Sequence, residues 1–435
     1  PPRSTLFPYT TLFRSGFVRL IEGVSQFINQ GRLRELGETA ELEYGEENGP
    51  GAEELPLDGS DPALRYCVEA LVSGADMDAA ALRSGLEGLG DSVVVAGSSR
   101  LVKAHVHSDG PHRVFALLAS YGVVEQPKVD DMLLQTRRAA AGHRPVAVVA
   151  DSASDLADDI KLALGVETVP VQLVLGDTSY LDGVGISSAD FFDYMRSAPA
   201  RYPTTSQPSA AAFARKFDLA LAHADEAVYV GISAALSGTF EAGRRCSCAS
   251  GEASRISVVD SRTLSVAAGL VVKKAAEAAA AGADAQAVRE AAEDAARRVR
   301  LLVSVPSLEG LLRSGRLKGV KGLAARALGL RPILTVGQDG KAGMAGMHWG
   351  AQKGIAKMLE LMGKELSPGS RVEAMIAHAD APARVAELVR GLRDGFALAA
   401  EPSVTALGPA LAVHGGLGAV ALAYLLPKEN PCSQV

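Results

Sequence analysis

The chain has 435 residues, 48% of them apolar, with 44 Lys and Arg against 50 Asp and Glu and a formal net charge of −6. That much apolar material supports two or three domains with buried cores, and the lack of any basic run able to track a phosphate backbone excludes nucleic acid as a partner. Four cysteines (Cys67, Cys246, Cys248 and Cys432) in a long chain without a secretory leader make a poor disulfide framework and fit reduced thiols in a cytoplasm; no apolar run reaches the roughly 20 residues that spanning a bilayer requires.

Residues 1–15, PPRSTLFPYTTLFRS, share no periodicity with the rest of the chain; they resemble a translated sequencing adapter and do not bear on the fold. From Phe17 to Arg34, Val18, Ile21, Val24, Phe27 and Ile28 recur at helical spacing. An acidic, glycine-containing run then predicts a linker up to residue 60. Residues 61–140 read as a small α+β domain, with a helix over MDAAALRSGLEGLG, strands over SVVVAGSS and RLVKAHVHS, and a helix over PHRVFALLASYG. His105 and His107 stand two apart on the second of these strands and project from one face. With Cys67 they offer zinc three ligands and leave a fourth position open. From spacing alone the plainer reading, two surface histidines and a buried cysteine, is preferred; His112 and Asp109 are further candidates.

Beyond RRAAAGHRP, β-branched runs alternate with alanine-rich helical segments: PVAVVAD, VETVPVQLVLG, EAVYVGIS, ISVVDS, LLVSVPS, PILTVGQDG, RVEAMIAHAD and ALAVHGGLGAVALAYL. The alternation predicts parallel or mixed sheets covered by helices, divided into lobes over 145–300 and 301–427. Pro203–Ser209, PTTSQPS, precedes a helical stretch, with Ser209 as its N-cap. Uncharged hydroxyls beside free N–H groups and the positive end of a helix suit a single carboxylate; the alternative is a turn and cap with no ligand. VYVGISAALSGTF places Ser237, Gly238 and Thr239 at a second strand-to-helix turn, and open α/β sheets bind ligands at the carboxyl ends of their strands. LEGLLRSGRLKG contributes Arg313 and Arg316, and GPALAVHGGLG sets His414 at the end of an apolar strand.

The segments VADSASDL, TSQPS, LSGTF, VVDSRTLS, LLRSGRL, RPILTV and AVHGGLGAVALAY, in this order over 145–426, resemble the DegV family of bacterial fatty-acid-binding proteins. The resemblance implies two α/β lobes with a fatty-acid carboxylate between them and the acyl chain in an apolar tunnel. It assigns the carboxylate to Thr205 and Ser237, with Ser206 and Gly238 alongside. Arg316 and His414 match the family's arginine and histidine at the head-group end, which serve when a partner kinase phosphorylates the carboxylate. Two departures stand out: Ser314-Gly315 replaces a pair of glycines before the arginine, which bears on the choice of Arg316 over Arg313, and Ala234 replaces a second serine, which weakens Ser233 as a ligand contact.

The stretch from YCVEALV through KAHVHSDGPHRVFALLASYG to VDDM resembles the middle domain of the bacterial fatty acid kinase, also seen beside dihydroxyacetone-kinase-like (DAK2-type) nucleotide-binding domains. This second resemblance implies Zn2+ at Cys67, His105 and His107 and reverses the plainer reading of those residues. GFVRLIEGVSQFI looks like the end of the nucleotide-binding domain, the remainder of which is expected to be missing, and no GxxxxGK[ST] loop is found. The expected fold is α/β, a two-lobed DegV fold preceded by a small α+β domain. The expected function is to bind a long-chain fatty acid and present it to an ATP-dependent fatty acid kinase domain, in cis or in trans, in cytoplasmic phospholipid metabolism, with transient contact at a membrane surface. The competing readings are a serine hydrolase using Ser237, His414 and an aspartate such as Asp151, although no G-x-S-x-G elbow is present, and a zinc-dependent activity in the N-terminal domain.

Overall fold

The computed structural model describes residues 62–176, 178–197, 202–316, 330–350 and 353–428. The adapter-like stretch, the helix expected at 17–34, the acidic linker and Cys432 lie outside them. The chain divides between Arg137 and Arg138 into two compact units.

The first unit contains β1 (Tyr66–Ser73), α1 (Ala79–Glu87), β2 (Asp91–Gly97), β3 (Leu101–Ser108), α2 (Pro111–Tyr121) and β4 (Val123–Asp131), and is followed by α3 (Met132–Ala141). Its four strands form an antiparallel sheet in the order β2-β3-β1-β4. Strands β1 and β4 add to the two expected here. β4 carries Pro127, which removes a ladder donor and is tolerated because β4 is an edge strand with a register shift opposite Glu69 and Leu71. Val68, Ala70 and Val72 on β1 and Val102, Ala104 and Val106 on β3 are buried and form the core face. The intervening residues, among them Cys67, Glu69, His105 and His107, point to the opposite face.

The second unit begins with β5 (Arg144–Asp151), α4 (Asp158–Leu164), β6 (Glu167–Val169), β7 (Gln172–Leu175), β8 (Thr178–Leu181), α5 (Ser188–Arg196), β9 (Thr204–Ser206), α6 (Ala210–Leu221), β10 (Ala224–Gly231), α7 (Thr239–Ala249) and β11 (Ile256–Asp260). The β-branched runs form a fully parallel sheet in the order β11-β10-β5-β6, while β8-β7-β9 is a small antiparallel sheet. Two alanine-rich helices follow, α8 (Ser265–Ala280) and α9 (Ala285–Arg298). The remaining elements are β12 (Val299–Ser304), α10 (Glu309–Arg313), β13 (Leu330–Val336), β14 (Ala342–Trp349), α11 (Gly354–Glu365), β15 (Arg371–Val372), β16 (Ala374–His378), α12 (Pro382–Gly395), β17 (Ala397–Leu398), β18 (Ser403–Ala406), α13 (Pro409–Gly415) and β19 (Val420–Leu425). Six of these strands make a mixed sheet in the order β14-β13-β12-β19-β16-β18.

The two large sheets share a core through α8. Its Val266, Leu270 and Val271 are fully buried and lie in one cluster with Val148 of β5 and with Ala421 and Ala423 of β19. The stretch from Val266 to Val272 is buried on every side, and such a stretch must be apolar all round; its small residues let two sheets approach it closely. The far side of the six-stranded sheet is covered by α11 and α12, where Ile333, Ile376 and Leu422 pack with Ile355, Met358 and Leu388.

One expectation is corrected. The run ALAVHG is not the end of an apolar strand: it forms helix α13, with Pro409 in its first turn, His414 in its last and a left-handed Gly416 as C-cap at φ 74°. Proline at a helix start and glycine just past its end are the local signals that override the apolar run. The strand begins only at Val420. Among the described residues no helix is long and apolar enough to cross a membrane, and Cys67, Cys246 and Cys248 form no disulfide.

Candidate functional site

The second unit encloses a cavity of about 220 Å3. Its wall is mostly aliphatic; besides Ser265 on α8 and Thr335 on β13, its polar residues come from four separated places. Thr205, Ser206 and Gln207 leave β9; Ser237, Gly238 and Thr239 make the turn from β10 into α7; Arg316 follows α10; and His414 sits on α13. Thus Thr205, Ser206, Ser237, Gly238, Arg316 and His414, the six ligand residues expected from the resemblance, all line one cavity.

Local sequence explains each placement. Ser209 caps α6 by accepting the Ala212 N–H at 3.2 Å, which leaves the three preceding hydroxyls to form β9, paired with β7 through Thr205 opposite Leu173. Thr205 is half-buried, and its hydroxyl has no hydrogen bond among the described residues. Ser206 is exposed and donates to the Gln207 carbonyl at 3.2 Å. Ser237 Oγ accepts the Thr239 N–H at 3.2 Å and lies 2.9 Å from Thr239 Oγ1. When Thr239 is the hydroxyl donor, the Ser237 proton is free for a ligand oxygen. A Cβ at position 238 would come within 2.5 Å of Gln207 Oε1, so any larger residue there displaces the exposed Gln207 side chain from the cavity rim. Ser233 is set apart, as expected: it is fully buried and donates to the Gly340 carbonyl at 2.7 Å, tying the two lobes together.

The two arginines also separate. Arg313 pairs with Glu309 at 2.7 Å and stacks over Tyr202 at 4.5 Å. Among the described residues Arg316 instead lines the cavity and its side chain donates once, to the Ser314 carbonyl at 3.0 Å, so a planar guanidinium retains donors for an anion. His414 has a buried Nδ1 without a hydrogen bond among the described residues. Burial, with the nearby Arg316 charge added, holds its imidazole down at about 4, so at neutral pH the ring is uncharged and the local cation is Arg316.

A hydrolytic triad is not assembled. Ser237 is bonded to Thr239, and no bond from His414 Nδ1 reaches Asp151. Asp151 is fully buried and accepts the Ile232 N–H at 2.9 Å and the Tyr229 hydroxyl at 3.2 Å. The apolar wall is not legible residue by residue in the sequence: Leu301, Val303 and Val305 of the β12 segment, Leu334 of β13 and Ala421 of β19 come from strands far apart along the chain. Their alternation marks a strand, but only the register shows which face looks into the cavity.

In the first unit Cys67 lies opposite His107 across β1 and β3, and Glu69 opposite His105. The ligand atoms of Cys67, His105 and His107 all lie within 4.8 Å of one another. Cys67 Sγ is 3.8 Å from His105 Nδ1, the two imidazole centroids are 5.1 Å apart, and Asp91 Oδ1 is 3.6 Å from His107 Nδ1. His112 and Asp109 are outside this cluster.

Comparison with known proteins agrees with this layout. Residues 145–426 match the model of the family described as uncharacterised protein, DegV family, and residues 63–139 match that of the FakA-like fatty acid kinase middle domain. A DegV domain-containing protein of Deinococcus radiodurans is 32% identical over 286 residues, covering 64% of this chain and 97% of that protein. The structure of a DegV family protein from Thermus thermophilus, described as fatty-acid binding, is 31% identical with a TM-score of 0.60, covering 65% of this chain and 99% of the other. A stearic-acid-binding protein from Eubacterium ventriosum shares the fold at 23% identity, with a TM-score of 0.57 over 64% of this chain and 98% of its own. With a two-lobed α/β unit matched along nearly its whole length, and a FakA-like middle domain ahead of it, the chain belongs to the DegV family.

Proposed function

We propose that the second unit, built from lobes over 145–300 and 301–427, holds a long-chain fatty acid. The Thr205 and Ser237 hydroxyls grip its carboxylate, with Ser206 and the Gly238 backbone beside them, and Arg316 and neutral His414 stand at the head-group end. The observation that carries this reading is the convergence of these six residues on one cavity whose wall is mostly aliphatic. Each buried methylene contributes about 0.8 kcal/mol, so the tail dominates affinity and a few oriented donors suffice for the head. The Thermus thermophilus relative, described as fatty-acid binding at 31% identity, supports the same ligand class.

The match of residues 63–139 supports a kinase partner. In this scheme a carboxylate oxygen of the bound acid attacks the γ-phosphorus of ATP, ADP departs, and an acyl phosphate remains. ATP is held by a separate nucleotide-binding domain, in cis or in trans. The work of this chain is to shelter the tail and present the head, in a cytoplasm, where cysteines without disulfides such as Cys246 and Cys248 stay reduced.

Native mass spectrometry of gently purified protein is expected to show the added mass of a long-chain fatty acid, or uptake of labelled palmitate. Thr205→Ala combined with Ser237→Ala should weaken palmitate binding roughly 100-fold, at about 1.5 kcal/mol for each hydrogen bond to a charged group. Protein that is empty and refuses palmitate overturns the reading. Covalent labelling of Ser237 by a fluorophosphonate would instead favour the hydrolase.

For the first unit we propose zinc at Cys67, His105 and His107. One thiolate and two imidazoles are a zinc donor set, and the Asp91 and Glu69 carboxylates beside the two rings fit the outer partners that orient such ligands. Elemental analysis should find stoichiometric zinc that Cys67→Ser loses. If chelation lowers the melting temperature of this unit, the metal is structural. Metal-free protein whose melting is indifferent to added zinc excludes the site.

A further inference from the structure

Helix α13 carries His414 but does not cap itself: the residue before it is Gly408, which has no side chain to offer its first N–H groups. Carboxyl groups from the other lobe take that place. Gly408 N donates to Asp155 Oδ1 at 2.9 Å, and Ala410 N donates to Asp182 Oδ1 at 2.8 Å, across 253 and 228 residues of chain.

Both acids are held at their second oxygen as well. Ser265 Oγ donates to Asp155 Oδ2 at 2.5 Å and Ser152 Oγ to Asp182 Oδ2 at 2.7 Å, while Ser152 Oγ accepts the Val171 N–H at 3.0 Å. Asp155 sits in the left-handed region at φ 44°, just after β5, and Asp182 follows β8. Both are buried, at 7% and 2% exposure. A Cβ at position 408 would come within 2.9 Å of Asp155 Oδ1, so glycine is what lets the backbone reach the carboxyl. A third link comes from Tyr202, whose hydroxyl donates to the Val413 carbonyl at 2.8 Å.

A serine or aspartate at position 408 would cap a short helix at far lower cost than two acids desolvated from a neighbouring lobe. The geometry points to a different task. We infer that Asp155 and Asp182 are positioning residues that set where α13 stands against the first lobe, and so aim His414 at the hydroxyl-lined end of the cavity opposite Thr205 and Ser237. The inference rests on the fatty-acid reading for its purpose, but not for its geometry.

The test is NMR of histidine-labelled full-length protein, with the His414 imidazole signal assigned by its loss in His414→Gln. In the double variant Asp155→Ala/Asp182→Ala the His414 signal is expected to move and its titration to rise from about 4 toward the ordinary histidine value of about 6.5. Palmitate affinity should fall at least tenfold by this shift of the head-group residue. Ser209→Ala, which removes the cap of α6, should destabilise the protein yet leave the His414 titration in place. Should the double variant not fold, Asp182→Ala takes its place, and Asp182→Asn, whose carbonyl oxygen still accepts the Ala410 N–H, is expected to show only a small movement of the His414 signal with palmitate affinity near wild type. An unmoved His414 signal in a folded double variant, or in Asp182→Ala where the double variant does not fold, overturns the positioning role. A responsive His414 in a protein that never takes up palmitate leaves positioning intact and sinks the ligand assignment.

Discussion

Replacing Ala421 by phenylalanine is expected to lower palmitate affinity roughly 100-fold while octanoate binding changes little. The floor of the cavity is the inner face of the six-stranded sheet, where Leu334, Val303 and Ala421 stand abreast on β13, β12 and β19. Ala421 is the small member of that row and lines the cavity, so the proposed acyl chain passes over it. Along β12 the lining residues Val305, Val303 and Leu301 span roughly 13 Å at about 3.3 Å per residue. Leu301 ends this series, and its neighbour Ala423 is buried but does not line the cavity. A phenyl ring at 421 fills the space of about four methylenes, worth about 3 kcal/mol, which is about a hundredfold. The ring adds bulk to a packed core at a cost of about 1–3 kcal/mol, so a lowered but cooperative melt is expected alongside. Displacement of a fluorescent fatty acid by palmitate and by octanoate reads the effect; equal affinities of variant and wild type for palmitate would place the acyl chain elsewhere.

Asp155→Asn is expected to gain on the wild type in thermal stability as pH rises. Burial pushes the Asp155 carboxyl up to about 7, against the hydrogen bonds from Ser265 and Gly408; the neighbouring Asp182 raises it further and Lys161 lowers it. Asp151 is raised to about 6 and Asp182 is raised as well, in each case chiefly by burial. A carboxyl whose folded value exceeds its unfolded value of about 3.9 contributes stability that is fully present below that unfolded value and is lost as pH climbs through the folded one. For Asp155 the window is therefore from about 4 to about 7, and the loss is on the order of 4 kcal/mol. Asparagine keeps both contacts, since its carbonyl accepts the Gly408 N–H and its amide donates to Ser265 Oγ, but it carries no charge to desolvate. The difference in Tm between variant and wild type should move in favour of the variant by roughly 5–10 °C across that window. Comparing the two proteins at each pH removes the opposing contribution of His414, whose depressed value favours the folded state above about 6.5 and ceases to do so as pH falls through about 4. A Tm difference that is flat with pH would show that Asp155 titrates as an ordinary carboxyl.

The parts of this molecule that are legible in its sequence are those where local chemistry suffices. β5, β10 and β11 are β-branched runs between turn residues, and a parallel sheet buried on both faces needs such runs. Ser209 announces α6, and the hydroxyls before it are uncharged polar groups with no helix of their own to serve. The missing pieces depend on partners far along the chain. β14 reads AGMAGMHW, with Gly343 and Gly346 inside it, and is a strand because β13 is there to pair with it. β9 has three residues and exists through β7. Nothing in the sequence around Asp155 and Asp182 points to α13; their carboxyls meet Gly408 and Ala410 only once the two lobes are packed together. His414, expected at the head-group end, lines the cavity, while its element is not legible, because a short apolar run has no period and Pro409 is the decisive signal.

The position of β19 shapes how the protein folds as it is made. The four parallel strands of the first lobe lie between Arg144 and Asp260 and can pair as soon as that stretch has left the ribosome. The second sheet has β19 at its middle, between β12 and β16, so these two strands lack their shared neighbour until Val420 emerges. At about 5–20 residues per second, the interval after Asp260 is roughly 10–30 s. Through that interval the flank of α8 that packs against β19 lacks that strand, and the half-built protein presents apolar surface on which a chaperone would act.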